Sequence, residues 1–366
     1  MNLEVPGQSS RRSSSDLSRA PSDVTTFVNV KYDAEPRLNK YKPNKADDST
    51  VSVLQAFLKY LPQDGKKNVV ADIAGCEGDE QLYQLSLSLV EGLLFPMKAH
   101  GKTPSITLSP RFGLEDSIEN VASQITEPAT RNSQRWLKQA CLSRDGNKCV
   151  IAGSFDSQTA ALEPNQSDAL EADTELAHII PFSRASYSTE EEHHRISEIW
   201  VTIFRYFPSV RSRINFIADS INHPRNAMTM HSYVHRKFGD FTIALEKTER
   251  EHVYQIKNYN PRSDVKKHLP SSGIVAFTNY DPQYELPSPI LLEVHAVIAR
   301  ILHATGKGEE ADRLLEEKDK IGVLAKDGST NVRALLSVTN LSSRATSQKP
   351  TNAGTRQMTD NRQENV

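Results

Sequence analysis

Cysteine, aromatic residues and long apolar runs are all scarce in this chain. The three cysteines, Cys76, Cys141 and Cys149, lie far apart. An odd number with no close pair supplies neither a disulfide framework nor a thiolate-rich zinc site, and it fits a reducing compartment better than secretion. No apolar stretch approaches the roughly 20 residues that cross a bilayer. Arg11 and Arg12 are followed by no apolar segment, as a secretory signal would require. The expectation is a soluble intracellular protein without a membrane partner, nucleus and cytoplasm standing equal. An excess of one charge is missing too: 44 Lys and Arg against 46 Asp and Glu leave a net charge of −2. Any attraction to a polyanion must therefore come from a local patch.

What is present is a patterned middle between two polar ends. Residues 1–48 are rich in Ser, Arg, Pro and Asp, and residues 342–366 in Thr, Ser, Asn and Gln, with too few spaced apolar side chains to offset the entropy of ordering. Both ends are expected to be disordered. Between them the sequence divides into a helical region over 49–130, a central domain over 131–260 and a second helical region over 261–341. Leu54, Phe57, Leu58 and Leu61 recur at helical spacing before Pro62, and Leu82, Leu85, Leu89 and Leu93 form a second stripe that Pro96 and Gly101 should end. Trp136, Leu137, Ala140 and Cys141 predict a short helix closed at Asp145-Gly146, where glycine can take a left-handed cap.

Strands are expected at Cys149-Val150-Ile151 and Leu176–Ile180, with polar residues 154–173 looping between them. Ser188-Thr189-Glu190-Glu191 is a capping-box pattern opening an apolar face of Ile196, Ile199, Trp200, Ile203, Phe204 and Phe207. Phe241–Leu245 and Val253–Ile256 read as a hairpin. Leu291, Val294, Ile298 and Leu302 define a helix after Pro289, with a shorter one around Ala311, Leu314 and Leu315.

The stretch Thr174–His235 organises the rest. It holds Ala177-His178-Ile179-Ile180-Pro181 at a strand end, Asn222-His223-Pro224-Arg225-Asn226 in a loop, and His231 and His235 in Met230–Phe238. Together with Arg144-Asp145-Gly146-Asn147-Lys148-Cys149 upstream, this ordered set resembles the HNH nuclease domain, and more closely the fungal HNH-domain proteins. Pro96-Met97-Lys98-Ala99, Leu286-Pro287 and Ile298–Leu302 extend the likeness over roughly residues 50 to 320. The resemblance implies an α+β fold: a ββα-metal core with a short antiparallel hairpin, embedded in flanking α-helices.

It also implies a chemistry. Cleaving a phosphodiester needs an activated water and neutralised phosphoryl charge. His178 would be the general base, since imidazole titrates near neutrality. Asn226 would orient the centre by hydrogen bonding, and His235 would hold a divalent cation, Mg²⁺ or Mn²⁺ by ligand type, with Asp240 and His231 as further ligands. A second register stays open, in which Asn222 takes the place of Asn226 and His231 pairs with His235 one turn on. Ala177 stands where the family often has a ligand before the base, and Gly239 where it often has one on the helix. The alternative function is accordingly a degenerate domain that binds nucleic acid or a protein partner without cleavage.

From 205 to 237 the chain carries Arg205, Arg211, Arg213, Arg225, Arg236 and Lys237 against the single acid Asp219. Arg211, Arg213, Arg225, Arg236 and Lys237 are the candidate contacts to nucleic acid, with DNA the expected partner. No base-reading motif accompanies them, so little sequence preference is expected.

Overall fold

The computed structural model describes residues 34–43, 45–99, 106–160 and 170–320. The polar ends 1–33 and 321–366 lie outside the described residues. Order begins earlier than the composition suggests. Residues 34–40 form a helix (α1) whose Ala34 and Leu38, with Tyr41, are buried in the core. Two apolar contacts and the Tyr41 hydroxyl, which donates to Asp48 at 2.6 Å, suffice to tie down a stretch that is otherwise polar.

Three helices follow: α2 (Thr50–Tyr60), α3 (Gln63–Gly75) and α4 (Asp79–Leu89). The stripes on α2 and α4 face each other across the core, as their spacing predicts. Pro96 does not end the second stripe. The backbone widens into a π-helical turn over Val90–Leu94 and resumes as α5 (Phe95–Lys98), with Pro96 seated just past the widened turn. α3 carries its apolar residues thinly, as Val69, Val70 and Ile73, and α6 (Leu114–Ala122) buries only Ile118 and Val121. Neither stripe stands out in the sequence.

The central body starts with α7 (Arg131–Arg144). Its C-terminus closes at Gly146, with φ +67, and Asn147, with φ 56, whose N–H reaches back to the Leu142 carbonyl at 2.8 Å. Cys149-Val150-Ile151 is a tight turn rather than a strand. The Cys149 N–H donates to Ser154 O at 2.8 Å, Gly153 N–H returns to Cys149 O at 2.9 Å, and the thiol accepts from Ala152 N–H at 3.1 Å. Three apolar residues bounded by Gly146 and Gly153 leave room only to reverse direction.

The expected loop after it contains a short parallel pair, β1 (Phe155–Asp156) with β2 (Glu171–Ala172), and one helical turn, α8 (Ser157–Ala160). β3 (Thr174–His178) then pairs antiparallel with β4 (Ala227–His231), in register from Thr174 opposite His231 to His178 opposite Ala227. Between these strands runs α9 (Glu190–Tyr206), capped as its sequence predicts by Thr189, whose side chain accepts from Glu192 N–H. The single turn α10 (Ser209–Ser212) follows it. α11 (Ser232–Gly239) leaves β4 without a linker, its first turn capped by the His231 ring.

The expected hairpin is present as β5 (Ile243–Lys247) with β6 (Val253–Asn258), and a third strand, β7 (Ile274–Ala276), adds to its edge. α12 (Pro289–Thr305) packs over β5 and α2, burying Leu291, Val294, Ile298, Ile301 and Leu302, each worth about 1.5–3 kcal/mol of hydrophobic transfer. α13 (Lys307–Lys320) completes the chain as described. Among the described residues no single helix is long and apolar enough to cross a membrane.

Candidate functional site

β3, the turn after it and α11 enclose a cleft of about 590 Å³ lined by Glu175, Leu176, His178, Phe182, His235, Arg236 and Gly239, with Met97 of α5 and Ala99 just past it forming part of the wall. The two histidines singled out by the sequence, His178 and His235, therefore face one space. Glu175 lines the same cleft, its carboxylate 2.6 Å from His235 Nδ1. Glu175 was not a sequence candidate. An acid at an alternating position of an edge strand has the appearance of a solvent-facing residue, and three places from His178 strand alternation would assign it to the opposite face.

His178 is half-buried at the end of β3, its ring tilted against Phe182. Its Nε2 lies 3.1 Å from Asn222 Oδ1, and the Asn222 amide in turn donates to Ser133 Oγ on α7 at 2.7 Å. An amide oxygen only accepts, so the proton of the neutral ring sits on Nε2 and the lone pair on Nδ1. Burial pushes the pKa of His178 down to about 4, opposed by the Asn222 hydrogen bond and helped by the charge on His235. The ring is neutral at pH 7 and able to take a proton.

Asn226 sits elsewhere. It is fully buried, with its oxygen accepting from Ile180 N–H at 2.8 Å and its amide donating to Ile180 O at 3.0 Å and Ile221 O at 2.9 Å. It clamps the chain two residues past His178 and does not touch the ring. The side chain on the ring is Asn222.

His231 does not line the cleft. Its Nδ1 accepts from Tyr233 N–H at 3.0 Å as the cap of α11, and its ring lies 4.6 Å from that of His268. Asp240 caps the other end of α11, with its carbonyl accepting from buried Lys98 at 2.9 Å; Gly239, not Asp240, lines the cleft. Among the described residues no three His, Cys, Asp or Glu side chains converge as a ready-made ion cage.

The basic residues also separate. Arg236 lines the cleft and lies 5.0 Å from the Tyr233 ring centre, with Lys237 at 5.7 Å on the same ring. Arg205 is spent on a bidentate pair with Asp72. Arg211 rests on Phe204 and donates to Gln124, Arg213 is exposed beyond α10, and Arg225 lies 3.7 Å from Glu285.

One buried pair braces the site from behind. Arg144, fully enclosed, donates to both oxygens of Asp145 and to the carbonyls of Pro224, Glu285 and Ala227, and Asp145 also accepts from Thr229 N–H at 2.8 Å. All five guanidinium N–H groups are used, which is why an arginine stands there.

Residues 149–246 match the family model described as HNH endonuclease. The chain carries an HNH domain. The matched span runs from the Cys149 turn to the end of β5 and contains β3, β4, α11, His178, Asn226 and His235. The match is to the family at large and does not single out its fungal members. No curated protein and no solved structure gives a significant match to the chain.

Proposed function

We propose that this HNH domain is a metal-dependent endonuclease that hydrolyses phosphodiester bonds of DNA, with His178 as the general base. The observation that carries the reading is that His178 and His235, 57 positions apart in sequence, open onto one cleft, with the Glu175 carboxylate hydrogen-bonded to His235 in its wall. The antiparallel pair β3–β4 running straight into α11 supports a ββα-metal arrangement.

The donor set suits an ion that keeps most of its water. One carboxylate oxygen and one imidazole, completed by phosphate and water oxygens, match Mg²⁺ or Mn²⁺; a closed tetrahedral zinc site would need two further ligands. Glu175 and His235 would hold the ion, which when bound neutralises phosphoryl charge and stabilises the leaving oxygen.

The chain's own residues do the rest. Water attacks phosphorus as its proton passes to His178 Nδ1, and the P–O bond opposite breaks. Asn222 Oδ1 holds Nε2–H throughout, a bond that strengthens as the ring becomes cationic. An approaching phosphate raises the basicity of this buried ring, because its negative charge favours imidazolium. Asn226 fixes the backbone at Ile180 and so keeps the base at the cleft, while Arg236 meets the diester. Supercoiled plasmid incubated with Mg²⁺ or Mn²⁺ should be nicked, EDTA should stop it, and His178→Ala should slow it by about 10²-fold or more. Nicking that survives in the variant or with EDTA rejects the proposal.

The absence, among the described residues, of a third convergent ligand and the presence of Ala177 before the base favour one other reading: a domain that holds nucleic acid without cutting it. Salt-sensitive DNA binding with no metal-dependent nicking would select that reading.

A further inference from the structure

α11 is shared between the cleft and a second surface outside the matched segment. Past β6 the chain folds a 3₁₀ turn, Asp264–His268, against α11, anchored by buried Val265 and capped by Ser263. Its contact with α11 is aromatic: the His268 ring lies 5.4 Å from Tyr233 and 4.6 Å from His231. Cations surround these rings. Arg236 and Lys237 lie over Tyr233, Lys266 and Lys267 project into solvent from the turn and Arg262 from just before it, against Asp264, 2.9 Å from Lys267, and Asp173 near His231. In a chain of net charge −2, five cations beside half-exposed π faces form a concentrated patch. Arg236 makes it continuous with the cleft.

We propose that this surface, Tyr233, Arg236, Lys237, Lys266, Lys267 and His268, is a nucleic-acid track that carries the strand away from the cleft, a reading that rests on the cleft being a diester site. Lysines on the turn take phosphates beyond the scissile one, each contact releasing counterions from the polyanion. The rings offer flat faces to sugars and bases without selecting among them, and the cations held on Tyr233 are already ordered for the encounter. An acidic protein would gain from the charge but would leave the rings and the continuity with the cleft unused.

The test is a salt titration of full-length protein binding a fluorescein-labelled duplex in EDTA, comparing wild type with Lys266→Glu/Lys267→Glu. The expected result is affinity weakened about tenfold or more at low salt and a log–log salt slope shallower by about 2, with an unchanged melting temperature. The neutral pair Lys266→Gln/Lys267→Gln should show the same slope change with a smaller loss of affinity. Affinity and slope equal to wild type in both pairs would overturn the proposal. So would displacement of the duplex by polyglutamate as readily as by unlabelled duplex. Wild-type protein that binds with the full slope but never cuts with Mg²⁺ or Mn²⁺ would reject the catalytic reading and leave this track standing.

Discussion

His178 and His295 are the same side chain confined in two ways. Both lose basicity to burial, to about 4 and about 3 respectively. His295 is sandwiched between Phe238 and Phe241, its Nε2 on the Phe238 carbonyl at 3.0 Å and its Nδ1 buried without a partner. His178 has its Nε2 held in the same manner, by Asn222, but opens onto a cleft. A depressed pKa with one nitrogen fixed is therefore common to a wedge in the core and a candidate base. Access of the second nitrogen is the difference.

The sharpest way to break this comparison is to remove each ring. His178→Ala should abolish nearly all cleavage, a barrier increase of about 3 kcal/mol or more, with little change in melting temperature. His295→Ala should do the reverse, costing about 2–4 kcal/mol of stability through the lost stack and cavity, read by urea denaturation. If the two variants lose the same property, access of the second nitrogen is not what separates the two rings.

Asn222→Ala should slow cleavage about tenfold, because the ring loses the partner that fixes its tautomer. Asn222→Asp probes the same contact with charge. A carboxylate beside Nε2 favours imidazolium, so the acid limb of the rate profile, which in wild type should fall below 6.5 towards 4, should move upward. An unmoved limb would detach Asn222 from the base.

A separate readout is stability against pH. His295 accepts a proton near 6.5 when unfolded and only near 3 in the fold, so the unfolded state binds more protons below 6.5. Its contribution is complete above that pH and drains as pH falls towards 3, by up to about 1.4 kcal/mol per unit. His295→Phe keeps a flat ring between Phe238 and Phe241 and should flatten that dependence, measured as melting temperature from pH 7 to 4.

Much of this was written in periodicity. α2, α4, α9 and α12 carry continuous apolar stripes and lie where the spacing puts them, as does the hairpin β5–β6. α3 and α6 were invisible because each buries two or three apolar residues among polar ones, and their helicity depends on what they pack against. At the site, His178 and His235 could be recognised because their neighbours come in a fixed order. Glu175 could not, and Asn222 entered only through the second register. One looks like an exposed strand acid, and the other is tied to Ser133, 89 positions away, by a contact that exists only once α7 has docked. Arg144-Asp145 was visible as a motif, but three of the five guanidinium donors acquire targets only when the chain returns at Pro224, Ala227 and Glu285.

That last arrangement bears on how the protein can be dissected. The segment recognised by the family begins at Cys149, five residues after Arg144, and ends before Glu285. Cut at those borders, the piece would part from the guanidinium that ties down the backbone on either side of Asn226, and the carbonyls of Pro224 and Ala227 would be left facing a hole. The borders of the homology unit are not those of a separable module. Dissection should retain α7 and the chain as far as Glu285, or the excised fragment will arrive unfolded and its inactivity will say nothing about the histidines.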